Sequence, residues 1–172
     1  MSLREQGQIV CMGHTWNVRG NIRDVYCLVA DPRSYTQWLR VVQQVDLVGP
    51  APRVAVGHAM IMRVRSLLPY RLLWHVKLVR LEPGRVIDTE CRVTLGSRVS
   101  LHGRVRFRFK QIGDRVIVTN DQQLQLQRRL PRWIAPLAQW IFRVNHAWAM
   151  SRARRHLQRR VRDSSVAGAC VA

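Results

Sequence analysis

Lysine is nearly missing from this sequence, and acidic residues are few. Of its 29 basic residues only Lys77 and Lys110 are lysines, and ten Asp and Glu stand against them, a formal charge of +19 on 172 residues. No carboxylate stands at ligand spacing from the six histidines, His14, His58, His75, His102, His146 and His156, and no two of these are four positions apart. No metal and no cofactor is therefore expected. A Ser/His/Asp constellation, an HExxH pair and a Gly-rich phosphate loop are all missing, so the sequence has no recognisable hydrolase, metalloprotease or nucleotide site. Cys11, Cys27, Cys91 and Cys170 show no CxxC spacing and read as reduced, structural thiols. Arginine or proline interrupts every apolar run before about 18 residues, and the opening MSLREQGQ has no apolar signal core. The expectation is a soluble, cytoplasmic protein.

Arginine is abundant, and it is interleaved with apolar residues. Clustered positive charge attracts nucleic acid or anionic membranes through counterion release. Here most arginines alternate with apolar residues along candidate strands, the pattern of a solvated outer face. Nucleic acid is not expected, because the aromatics fall opposite the arginines instead of among them. With 47% apolar residues the chain supports one domain with a sizeable core. Residues 8–162 are expected to form it, with a disordered or extended N-terminus over 1–7 and a flexible tail over 163–172.

Ile9 to Val18 alternates as a first strand with Val10, Met12, His14, Trp16 and Val18 on one side. The period then becomes helical from an Asn21 cap through Ile22, Val25, Tyr26 and Val29, and Pro32 can start a second short helix through Tyr35, Trp38 and Leu39. Turn signals at Gly49-Pro50, Leu68-Pro69, Pro83-Gly84, Gly96-Ser97 and Gly113-Asp114 divide the next stretch into a meander. Its strands are expected near Val41–Val48, Val56–Arg65, Tyr70–Leu81, Arg85–Leu95, Val99–Lys110 and Arg115–Gln127.

Charge phase selects the faces. Arg104, Arg106 and Arg108 share one side of their strand, opposite Val105, Phe107 and Phe109, and antiparallel pairing sets Asp88 and Glu90 beside that arginine row. The same argument turns Met60, Met62, Trp74, Phe107 and Val118 inward, with methionine suiting either a shape-tolerant pocket or a filled core. Asn120 and Gln122 also fall on the inner row. They are either bonded to each other and the backbone or available to a ligand.

From Ile134 to Val161 the chain reads as one long helix. On a wheel, Ile134, Leu137, Ile141, Val144, Asn145 and Trp148 lie on one side and His146, Met150, Ala153, Leu157 and Val161 nearly opposite. Two apolar faces suggest that the first half meets something besides the sheet: a neighbouring helix, a second copy of the chain in a homodimer, or a membrane.

The stretches DVYCLVADPRSYTQWL, LPYRLLW and FRVNHAWAM, set in this element order, resemble the START-like (SRPBCC) superfamily, in its polyketide cyclase/dehydrase and lipid-transport branch. The resemblance spans about residues 8–162. It implies an α+β helix-grip fold: a seven-stranded curved antiparallel sheet wrapped around a long C-terminal helix, with two short helices between strands 1 and 2. It also implies an apolar cavity between sheet and helix. Trp38, Tyr70, Trp74, Asn145, His146 and Met150 match motif positions, whereas Gly96-Ser97-Arg98 replaces an acidic Gly-Asp common in the branch.

The expected function is binding, and in one form transport, of a hydrophobic small molecule such as a lipid or polyketide. The candidate lining is Trp38, Met60, Met62, Tyr70, Trp74, Phe107, Val118, Asn120, Gln122, Leu137, Ile141 and His146. A cyclase or dehydratase on the same scaffold is the alternative, with His146 or Tyr70 as general acid or base. A third reading is a basic lipid carrier that docks on anionic membranes through the arginines and tryptophans of the last helix.

Overall fold

The computed structural model of the chain describes residues 9–49, 54–66, 71–95, 99–126 and 135–167. Strand β1 (Ile9–Arg19) leads into helices α1 (Ile22–Ala30) and α2 (Tyr35–Trp38), joined by a short 3-10 turn. Six strands follow: β2 (Val42–Val48), β3 (Ala59–Arg65), β4 (Arg71–Glu82), β5 (Val86–Leu95), β6 (Val99–Ile112) and β7 (Arg115–Leu126). Helix α3 (Ala135–Ala167) closes the fold. Every strand pair is antiparallel, in the order β1-β7-β6-β5-β4-β3-β2. This is the expected α+β helix-grip architecture.

Local chemistry sets the element ends. Asn21 caps α1 by accepting from the Arg23 N–H at 2.8 Å, and Asp31 accepts from the Arg33 N–H at 3.0 Å as Pro32 opens the next turn. Strand β3 starts at Ala59, later than the expected Val56, because Gly57 at φ 93° turns the chain there and leaves Val56 exposed. At the far end, helix α3 continues through Ala167, past the expected start of a tail at 163.

The outer face carries the charge, as strand phase requires. Arg106 binds Asp88 with two bonds of 2.6 and 3.0 Å, Arg104 reaches Glu90 at 3.3 Å, and Arg108 reaches Asp121 at 2.6 Å. These are exposed pairs, each contributing about 0–1 kcal/mol. The inner face supplies the core, from Val10, Trp16 and Val18 on β1 to Val116, Val118 and Leu124 on β7.

Helix α3 resolves its two apolar faces unequally. Met150, Ala153, Leu157 and Val161 are buried, whereas Leu137 and Trp140 are 56% and 62% exposed. Its C-terminal half is fastened to β1. The Gln158 side chain accepts from the Arg19 N–H at 2.7 Å and donates to the Arg19 carbonyl at 2.9 Å, and a Cβ added to Gly20 would meet Val161 at 2.5 Å. One expectation about the thiols needs correcting: Cys27 is disulfide-bonded, while Cys11 and Cys91 are free. Pairing depends on proximity through space, which residue spacing does not encode.

Candidate functional site

Alternation on β1 and β7 brings a polar group into the apolar interior. The two strands pair so that His14 faces Asn120 and Met12 faces Gln122, with all four side chains on the inner row. Asn120 is fully buried and Gln122 nearly so. Gln122 Nε2 donates to Asn120 Oδ1 at 3.2 Å, which fixes the orientation of the Asn120 amide. The amides bind each other, and Asn120 Nδ2 has no partner among the described residues.

Helix α3 adds His146 to this pair. Its ring centroid lies 6.4 Å from that of His14, edge to face, and its Nε2 is buried without a partner among the described residues. Burial, and then the neighbouring His14, lower its pKa to about 4, so the ring is neutral at physiological pH. His14 is only partly buried, and desolvation lowers its pKa as well. Sequence reasoning placed His14 on the inner row of β1 without drawing it into the site; the signal was one polar residue in an otherwise apolar row.

The other candidates are spread over the same concave face. Met60, Met62, Phe107 and Val118 are buried in the core, and Ile141 is half-buried on α3. Trp74 is half-buried, with a buried indole N–H that has no partner among the described residues. Two candidates take different positions from those expected. Trp38 is sealed in a structural aromatic cluster, 6.0 Å from Trp16 by ring centroid, with its N–H donating to Ser34 Oγ at 2.9 Å. Leu137 is exposed on the outer side of α3, because the apolar face it belongs to is not the one the core takes up. Tyr70 lies outside the described residues.

Two open hollows of about 350 and 280 Å3 lie on the other side of the sheet, the first along β5 to β7 and Ile9 of β1, the second along β2 to β6. His102, Glu90 and Cys91 line both. They are open and rimmed by charge, and His102, whose buried Nε2 has no partner among the described residues, is one of their lining residues. The interior, where orphaned donors and apolar walls coincide, is the better candidate site. No group of three His, Cys, Asp or Glu side chains among the described residues could hold a metal ion. Nor is any described helix long and apolar enough to cross a membrane.

The sequence matches no family model and no curated protein. Solved structures do match along nearly its whole length. The ZhuI aromatase/cyclase from a Streptomyces species aligns with a TM-score of 0.74 at 14% identity, covering 95% of this chain and 100% of that one. The chain has the START-like helix-grip fold. A START superfamily protein from Mycobacterium smegmatis aligns with a TM-score of 0.66 at 12% identity, covering 90% and 98%. The di-domain ARO/CYC BexL gives 0.66 at 15%, covering 89% of this chain and 50% of that one. At these identities the START-like likeness extends to the backbone, and the residues at the site are this chain's own.

Proposed function

We propose that this protein binds a hydrophobic small molecule, lipid-like or polyketide-like, between the concave face of the sheet and α3. The observation that carries the reading is a set of three polar atoms, Trp74 Nε1, Asn120 Nδ2 and His146 Nε2. They face an apolar interior from β4, β7 and α3, buried and without partners among the described residues. A buried group left unpaired costs about 1–3 kcal/mol, and folded interiors hold few of them. Apolar walls with a few polar points describe a binding chamber better than a filled core. Native mass spectrometry of protein purified from its own host tests the reading. An added apolar mass supports it; protein at its sequence mass that also fails to take up N-phenylnaphthylamine rejects it.

A cyclase or dehydratase acting on a polyketide-like substrate is the second reading, favoured by the His14–His146 pair. A neutral, buried imidazole with an unpartnered ring nitrogen, beside a second histidine, could accept or give a proton to a bound carbonyl. Two structural neighbours, the ZhuI aromatase/cyclase and the ARO/CYC protein BexL, point the same way. If ligand turnover is unchanged after His146→Gln and Tyr70→Phe, this reading fails. A lipid carrier that docks on membranes is favoured by exposed Leu137 and Trp140 on a strongly basic chain. It requires sedimentation with anionic vesicles at low salt and release at high salt.

A further inference from the structure

Charge is excluded from the interior, and hydrogen-bonding capacity is not. Among the described residues no Asp, Glu, Lys or Arg is buried; the buried polar side chains are Ser34, Ser66, Thr89, Asn120, Gln122 and His146. Ser34 and Thr89 are spent on carbonyl oxygens or on Trp38, and Ser66 bonds Asn145 at 3.2 Å. Near β1 the buried side-chain atoms without a partner among the described residues are Asn120 Nδ2 and His146 Nε2; Asn120 lies opposite His14 in the β1–β7 pair, and the His146 ring lies 6.4 Å from that of His14.

We propose that this interior selects an uncharged hydrophobic molecule bearing a hydroxyl group, held by Asn120 Nδ2 and His146 Nε2, and rejects the corresponding carboxylate. The inference rests on the binding reading above and names the chemistry of its ligand. A hydroxyl carries one donor and two acceptor positions, so it can accept from the amide while pairing with the imidazole in either tautomer. A carbonyl pairs only where both protein groups donate. A carboxylate would have to leave water with no cation to meet it, and the imidazole, neutral at physiological pH, does not supply one.

The experiment uses the full chain near neutral pH and two probe series: 2-naphthol, 2-methylnaphthalene and 2-naphthoate for fused rings, and 1-dodecanol with dodecanoate for linear chains. Affinities are read by displacement of N-phenylnaphthylamine. The expected result is that, in at least one series, the hydroxyl compound binds about tenfold or more tighter than its carboxylate, and naphthol tighter than methylnaphthalene if the fused series is the one accepted. A tenfold change corresponds to about 1.4 kcal/mol. Asn120→Leu and His146→Leu should each remove most of that advantage, and the wild-type series tests the idea even if either variant folds poorly. Equal or tighter binding of the carboxylates overturns the proposal, and so does equal binding of naphthol and methylnaphthalene, while both leave hydrophobic binding standing. Binding of none of the probes overturns the proposal together with the binding reading.

Discussion

The indole N–H of Trp16 donates to the Met150 carbonyl oxygen at 3.0 Å, joining the middle of β1 to the middle of α3 inside the core. Trp16 also packs edge to face on Trp38 and tilted against Phe107, with centroids 6.0 and 6.3 Å away, so one side chain holds sheet, closing helix and short helices together. Trp16→Phe should cost about 2–3 kcal/mol through the lost hydrogen bond and the smaller ring. Urea unfolding should show a lower midpoint with an unchanged slope.

Gly103 on β6 passes so close to β7 that a Cβ there would collide with the Gln123 carbonyl oxygen. Backbone cannot move aside as a side-chain tip can. Gly103→Ala should therefore destabilise by more than about 3 kcal/mol or prevent folding. Gly13→Ala, whose nearest neighbour would be Asp121 Oδ1 at 3.6 Å, should change the melting temperature little.

Acid should weaken the fold through His146. Its folded pKa is about 4 against an ordinary histidine value of 6.5, so between those pH values the unfolded chain takes up a proton that the folded chain refuses. Stability is full above pH 6.5 and falls as the pH drops towards 4, by roughly 2–3 kcal/mol. The lowered pKa of His14 acts with the same sign. Urea titrations at a series of pH values should show this slope, and His146→Gln should flatten it.

The free thiols should separate by reactivity. Cys11 is exposed, whereas burial pushes the Cys91 thiol up to about 12. In the native protein a disulfide reagent such as DTNB should modify Cys11 quickly, and Cys91 only after denaturant is added.

The sheet was legible because its signal is local. Arg104, Arg106 and Arg108 against Val105, Phe107 and Phe109 set a period of two that settles the faces, and each face then sets its neighbour through a hairpin. The first expected residue of β3 failed for a local reason too, since Val56 is apolar like a strand residue but precedes the turn at Gly57. The relations that depend on distance were not legible. The helical wheel gave α3 two apolar faces, and only the packing on β1, α1 and α2 decides that Met150 and Leu157 go in while Leu137 stays out. His14 reaches His146 across the whole length of the meander, and neither sequence spacing nor periodicity records that approach. The bond of Cys27 belongs with these.

The sheet order has a consequence for how this chain is made. Of the seven strands β1 is synthesised first, yet its sheet partner is β7, with Ile9 opposite Gln125. The hairpins from β2 to β7 can form one after another as they emerge, while β1 waits with its inner row of Val10, Met12 and Trp16 uncovered. Until Leu126 and then α3 have been synthesised, that row is the natural client surface for a chaperone. Stalling translation before β7 should leave a nascent chain that aggregates when released, whereas one stalled after α3 should not.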